Sequence, residues 1–249
     1  MTAARIGLQL YTIRSECDRD LEGTLREVGA QGYEGVELFQ LHGHEAAQVR
    51  AWLDGAGLVA AGCHARLDAL EARLPELAAE FAVLGTDRIA ISWIDPAWLT
   101  EPQPVVDRIE AAARAARESG IRLGFHNHAS EVKPLADGAT FLELLRRIDP
   151  ELLWLELDLG WVWQAGGDPV AELEATSGRC SLVHVKDFST PDAGDDVPVG
   201  DGIVGYDRVL PAALAAGVEW LVVEQDNVKG EPFADVDRSL HAVRTILAA

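Results

Sequence analysis

Short apolar runs rich in β-branched residues recur along the chain and alternate with stretches whose apolar residues are spaced as on one helix face. The runs have the length and composition of buried strands. Eight are predicted as strands, at residues 5–11, 33–38, 58–64, 88–93, 121–126, 152–158, 181–187 and 218–224. Helices are predicted at residues 21–30, 45–53, 67–84, 105–119, 139–148, 169–176, 206–215 and 236–247.

Eight alternating strand-helix units in 249 residues predict an α/β protein with a single (β/α)8 TIM barrel. Asp20 and Asp168 stand where helices should begin, and glycines follow several predicted helices. No linker or low-complexity tract interrupts the pattern, so we predict one domain over residues 1–249. An open doubly wound sheet would need a glycine-rich turn after the first strand, where the chain has Gln9-Leu10-Tyr11-Thr12.

A residue able to bind a metal ends each of three successive predicted strands. One strand stops at Asp158, the next carries His184 in the run His184-Val185-Lys186-Asp187, and the last stops at Glu224. In a barrel the C-terminal strand ends meet at one face, so we expect these three side chains to converge. Carboxylate and imidazole ligands suit Mn, Mg, Co, Zn or Fe(II). A single polar residue often only begins a loop, and the hypothesis therefore rests on three in succession.

The residues alone leave the fourth ligand open. It should come from strand 5, which runs into His126-Asn127-His128-Ala129-Ser130-Glu131. His126 and His128 have the same parity on an extended strand, whereas Glu131 requires the chain to turn first.

Further polar and aromatic residues are expected at the same face of the barrel. His64 and Trp93 end the predicted strands 3 and 4, and Lys186 lies two residues beyond His184, on the same side of strand 7. For His64 and Trp93, ordinary structural roles are an equally good interpretation. The remaining candidates are Gln9, Tyr11, Glu34, Glu37, Arg66, Trp161, Asp187, Gln225 and Asp226.

The charge of the chain limits its partners. Its 21 basic and 41 acidic residues give a formal net charge of −20, which repels nucleic-acid phosphates and anionic membranes. We expect no nucleic-acid or membrane partner. The first residues lack the pattern of a signal peptide, and three widely spaced cysteines indicate neither disulfides nor a thiolate metal site, so a cytoplasmic location is expected.

Several motifs resemble the xylose-isomerase-like barrel superfamily, in the branch of sugar phosphate isomerases and epimerases that includes inosose dehydratases. They span the chain in order. The matching pieces are Gly7-Leu8-Gln9-Leu10-Tyr11, Tyr33-Glu34-Gly35-Val36-Glu37, His126-Asn127-His128-x-x-Glu131, Asp158-Leu159-Gly160-Trp161, His184-Val185-Lys186-Asp187, Gly200-Asp201-Gly202 with Tyr206-Asp207, and Glu224.

The resemblance implies a divalent metal ion held by Glu131, Asp158, His184 and Glu224. It also implies isomerase or epimerase chemistry on a small sugar, polyol or hydroxy-ketone through an enediolate. Glu224 would be the catalytic base, with Glu131 as the second acid or base. Substrate would be bound by His64, Trp93, His126, His128 and Lys186.

One departure from the family pattern keeps other functions open. Epimerases of the tagatose type and dehydroshikimate-type dehydratases of this family carry a glutamate within strand 5, where this chain has Gly124. This difference argues against epimerisation by two glutamates and makes isomerase or dehydratase chemistry at least as good an expectation. A metal-dependent dehydratase of an inosose-type substrate and a non-catalytic sugar-binding barrel therefore remain alternatives. Asp192, Asp195, Asp196 and Asp201 surround Gly200 after strand 7, a poor setting for a phosphate, so an unphosphorylated substrate is favoured. The sequence leaves open whether the chain forms homo-oligomers.

Overall fold

A closed barrel of eight parallel strands forms the centre of the computed structural model, which describes residues 4–192 and 195–249. The barrel strands are β1 Arg5–Gln9, β2 Gly35–Leu38, β3 Val59–Ala65, β4 Arg88–Ile91, β5 Arg122–His126, β6 Leu153–Asp158, β7 Leu182–Val185 and β8 Trp220–Val223. Their neighbour order around the barrel is β1-β8-β7-β6-β5-β4-β3-β2, so the predicted (β/α)8 fold is confirmed.

Helices surround the barrel. They are α1 Arg14–Arg19, α2 Leu21–Gln31, α3 Ala46–Ala56, α4 Leu67–Leu84, α5 Pro102–Glu118, α6 Ala129–Val132, α7 Phe141–Leu145, α8 Leu159–Gln164, α9 Pro169–Ala175, α10 Tyr206–Ala215 and α11 Pro232–Leu247, with 3-10 helices at Leu10–Ile13 and Pro96–Thr100. The side chains of Asp20 and Asp168 cap α2 and α9, as predicted. No helix in the described part of the chain is both long and apolar enough to span a membrane.

The structure differs from the predicted elements mainly where strands reach the barrel mouth. β1 ends at Gln9, because the next four residues wind into a 3-10 helix, and β7 ends at Val185. Asp187–Phe188 instead pairs antiparallel with Asp196–Val197 in a separate two-stranded ribbon. Two short helices were not predicted: α8 begins directly after Asp158, which ends β6, and α6 begins at Ala129, three residues after the end of β5.

The interior of the barrel is divided into an apolar and a polar layer. Ala61, Leu182, Trp220 and Val222 fill the end where the strands begin, with Trp154 packed against them. Above them lie six buried ionisable side chains from five strands or strand ends, at Glu37, His126, Glu156, Asp158, His184 and Glu224. This polar layer faces the end of the barrel where the predicted site lies.

Candidate metal centre

Strand register brings the site residues to one level. Asp158 pairs with His184 across β6 and β7, and His126 pairs with Glu156 across β5 and β6. Because alternate residues of a strand point to the same side, Glu156 and Asp158 both face the barrel interior. The expected convergence of Asp158, His184 and Glu224 is present in the structure.

His126, Asp158, His184 and Glu224 form what we call the outer group. Their ligand atoms lie within 4.8 Å of one another, and all four residues are buried. His184 Nδ1 lies 2.8 Å from Glu224 Oε2. Asp158 uses Oδ1 to accept a hydrogen bond from the Trp161 backbone N–H, while its buried Oδ2 accepts no hydrogen bond from the described residues and lies in an ion pair with the Lys186 ammonium. Two carboxylates and two imidazoles fit a divalent metal ion.

Lys186 lies beside the outer group as a buried counter-charge. Its Nζ is 2.6 Å from Asp226 Oδ2, 3.0 Å from Glu224 Oε2 and 3.2 Å from Asp158 Oδ2. Burial alone would lower the pKa of Lys186, but the charges of Asp158, Asp226 and Glu224 raise it well above the ordinary value. The side chain therefore stays an ammonium ion at neutral pH.

The charges of the outer group follow from burial and from these neighbours. Burial would raise the pKa of Glu224, but Lys186 and His184 hold it well below the ordinary value, so Glu224 is a carboxylate. Burial raises the pKa of Asp158 to about 6, against the opposing effect of Lys186. Burial and the neighbouring His184 lower the pKa of His126 well below the ordinary value, which keeps that imidazole neutral and able to bind a metal.

Glu37, His64 and Glu156 are linked to His184 by close contacts, and we call these four residues the inner ring. His184 Nε2 lies 2.7 Å from Glu37 Oε2, and His64 Nε2 lies 2.6 Å from Glu156 Oε2 and 3.2 Å from Glu37 Oε2. Such a carboxylate on the far nitrogen of a ligating histidine fixes the orientation of the ring.

Three residues of the inner ring, His64, Glu156 and His184, also belong to another group of potential metal ligands, which includes His126. His64, His126, Glu156 and His184 also have ligand atoms within 4.8 Å of one another. His64 Nε2 and His184 Nε2 both lie within ion-pair distance of Glu156 Oε2, and burial followed by the charge of Glu37 raises the pKa of Glu156 to about 7. The outer group is therefore the better candidate for a metal ion, because its carboxylate Glu224 and its imidazole His126 both line the open cavity.

Glu131 does not join either group. The chain turns into α6 directly after His128, and Glu131 Oε2 accepts a hydrogen bond from the His128 backbone N–H at 2.9 Å. This is a capping box, in which the third helical residue reaches back to the cap. His126, one of the alternatives that the residues left open, lies instead beside the other three predicted ligands.

The remaining predicted residues line a cavity of about 500 Å³ at the barrel mouth. His64, Trp93, His126 and His128 lie along its wall together with Glu224. Burial lowers the pKa of His128 to about 3, so that side chain is a neutral hydrogen-bonding group. Trp93 remains 39% exposed, as a rim residue that a ligand would cover.

Sequence reasoning did not select Glu156 and named Glu37 only among many mouth residues. Glu156 lies two residues before Asp158, so strand parity alone could have placed it inside the barrel. The contact of Glu37 with His184 joins residues 147 positions apart and depends on barrel closure. Gly62 makes room for Glu37, since a Cβ there would lie 2.8 Å from Glu37 Oε1.

Gly124 explains why strand 5 lacks an inward carboxylate. A Cβ at this position would lie 2.3 Å from Cε2 of Trp154, whose indole N–H donates to the Arg122 carbonyl at 3.0 Å. The tryptophan occupies the space that a side chain on strand 5 would need.

We expect Gly124→Ala to lower the free energy of unfolding by about 1–3 kcal/mol, because the added methyl overlaps the Trp154 ring. Gly55→Ala is the control, since Gly55 lies within α3 with nothing within 4 Å of the new Cβ, and should gain about 0.5–1 kcal/mol. Denaturant unfolding of both variants at equal metal content measures the difference. Equal stability of the two variants would show that the Trp154 ring does not restrict strand 5.

Comparison with known proteins agrees with this architecture. A family model described as xylose isomerase-like TIM barrel matches residues 25–246. The chain belongs to this family. An inosose dehydratase of Geobacillus kaustophilus is 34% identical over 88 residues, which cover 35% of this chain and 28% of that protein.

Solved structures of this fold superpose along nearly the whole chain. A sugar phosphate isomerase/epimerase from Parabacteroides distasonis has a TM-score of 0.82 and 22% identity, covering 98% of this chain and 96% of its own. The probable 3-DHS dehydratase AsbF from Bacillus anthracis has a TM-score of 0.77 and 17% identity, covering 98% and 99%. At these identities the likeness concerns the fold.

Proposed function

We propose that the protein is a divalent-metal-dependent isomerase or epimerase of a small sugar, polyol or hydroxy-ketone. The observation that carries the proposal is the outer group, four buried ligands from the ends of β5 to β8 beside a cavity of about 500 Å³. His126, Asp158, His184 and Glu224 would hold the ion. When bound, the ion would polarise a carbonyl and its neighbouring hydroxyl, which acidifies the intervening C–H bond.

The side chains of this site divide the remaining work. Glu224 is held as a carboxylate beside Lys186, so it is the best candidate to take up the proton from carbon. Lys186, with its ammonium 2.6 Å from Asp226, would hydrogen-bond a substrate oxygen that gains negative charge. His64 and His128 line the cavity and would position hydroxyl groups, and Trp93 would cover the carbon chain.

Dehydration of an inosose-type substrate is the second candidate. It begins with the same removal of a proton beside a carbonyl and differs in the loss of a β-hydroxyl. The local identity of 34% to an inosose dehydratase favours it, although the alignment covers only 28% of that relative.

Incubation in deuterated water tests the proposal. The metal-loaded protein should introduce deuterium at the carbon beside the carbonyl of at least one ketose, inosose or short hydroxy-ketone, and NMR of the products would separate isomerisation, epimerisation and dehydration. Absence of exchange with every compound, from protein shown to contain metal, would favour a non-catalytic sugar-binding barrel instead.

A further inference from the structure

Charge is distributed unevenly around the mouth cavity. Among the described residues, its acidic lining residues are Glu224 and Asp226, both on the side of the outer group. The wall formed by the ends of β1 to β4 contributes Arg14 and Arg66 and, within the described part of the chain, no acidic side chain. In a chain with 41 acidic and 21 basic residues, a wall with arginines alone is unusual and would attract an anion.

Both arginines are held against aromatic rings of the same wall. The Arg14 guanidinium lies 4.3 Å from the centroid of the Tyr11 ring, and its Nη1 donates to the Tyr11 carbonyl at 2.9 Å. The Arg66 guanidinium lies 5.2 Å from the centroid of the Trp93 ring. Stacking on an aromatic face limits the freedom of a guanidinium and leaves N–H groups at its edge for a ligand.

The two arginines differ in how far they are neutralised. Arg66 Nε is 3.2 Å from Asp68 Oδ1, in an exposed pair. Arg14 is half-buried, and within the described part of the chain no carboxylate oxygen lies within 4.0 Å of its guanidinium nitrogens. The wall therefore carries about one unbalanced positive charge, which matches a singly charged carboxylate better than a doubly charged phosphate.

We infer that the substrate is a sugar acid, whose carboxylate is bound by Arg14, with Arg66 beside it, while its carbonyl and hydroxyl end faces the outer group. The placement of the carbonyl and hydroxyl end at the outer group rests on the proposed function, and the inference names the substrate class of that same site. Tyr11 and Trp93, each 39% exposed, would cover the apolar face of the sugar between the two charged ends.

Calorimetric titration of the metal-loaded protein tests the inference without requiring turnover. The probes are D-glucuronate, D-galacturonate and D-mannuronate, each with its neutral hexose and its hexose 6-phosphate. At least one uronate should bind about 10-fold or more tighter than its hexose. Arg14→Gln should lower the affinity for that uronate about 10- to 100-fold, the usual range for loss of a charge-assisted hydrogen bond. The affinity for the hexose should stay unchanged.

Arg19→Gln is the matched control, because Arg19 is exposed, pairs with Glu16 and does not line this cavity. The inference would be overturned if uronates bind no better than hexoses or do not bind at all. It would also be overturned if Arg14→Gln weakens the binding of uronate and of hexose equally. Tighter binding of a hexose 6-phosphate than of the matching uronate would also overturn the inference, because it would show that the arginines bind a phosphate. Uronate binding without deuterium exchange would keep the inference and reject the proposed reaction.

Discussion

Asp158→Asn and Glu224→Gln should each lower the affinity for a divalent ion by more than about 100-fold. Loss of a residue that only supports a metal ligand already lowers the affinity by up to about 100-fold. Each change removes a buried carboxylate charge from the outer group. His126→Asn should also lower the affinity for the ion, because it removes a neutral imidazole from the same four residues. Elemental analysis and titration with Co(II) would measure the affinities.

Glu131→Gln is the matched variant for this series. Glutamine at the third helical position can still accept the hydrogen bond from the His128 N–H, so the cap of α6 is kept while a carboxylate charge is removed. We expect metal content and deuterium exchange to stay at the level of the unchanged protein. Loss of the ion in Glu131→Gln, together with its retention in His126→Asn, would show that the loop carboxylate is the ligand.

The affinity for metal should rise with pH. Burial lowers the pKa of His184, but Glu224, Glu37 and Glu156 raise it well above its ordinary value, so a proton occupies this ligand at neutral pH. A metal ion must displace that proton, and displacement becomes easier as the proton concentration falls. Titrations between pH 6 and 9 should show this direction, and a flat profile would contradict the charge assigned to His184.

Lys186→Met should destabilise the metal-free protein by about 3–5 kcal/mol, the range for breaking a buried ion pair by removing one partner. Lys186 is fully buried, and its removal leaves Asp158, Glu224 and Asp226 close together without the ammonium. A divalent ion at the outer group would supply positive charge to the same carboxylates. We therefore expect added metal to restore part of the stability, while turnover stays low and the ion is retained.

Lys229→Met is the control for this change. Lys229 also forms an ion pair, 2.9 Å from Asp195 Oδ1, but its side chain is 61% exposed, and such pairs contribute less than about 1 kcal/mol. Denaturant unfolding in chelator and in excess Mn(II) would compare the two variants. If Lys186→Met is as stable as Lys229→Met in chelator, the carboxylates around Lys186 do not depend on its charge.

The sequence predicts the barrel well because its signals are local. Alternation of strand and helix patterns, caps such as Asp20 and Asp168, and the polar ends of three strands all depend on neighbouring residues. Closure of the barrel then brings Asp158, His184 and Glu224 together without any further information.

The parts that escaped prediction depend on local turns or on contacts across the barrel. The early start of α6 turns Glu131 toward the backbone, and no charge pattern distinguishes this turn from a longer strand. Glu37 reaches His184 from a distant part of the chain. The contact between Gly124 and Trp154 joins neighbouring strands, but it requires knowing their register as well as their existence.

Anomalous scattering from crystals grown with Co(II) or Mn(II), recorded at the absorption edge of the metal, would locate the ion directly. We predict one peak bound by His126, Asp158, His184 and Glu224, at ligand distances of about 2.0–2.2 Å. Glu131 should remain on the His128 N–H. A peak bound by Glu131, a peak within the inner ring alone, or no peak in protein that exchanges deuterium would contradict the central claim of a catalytic metal ion at the outer group.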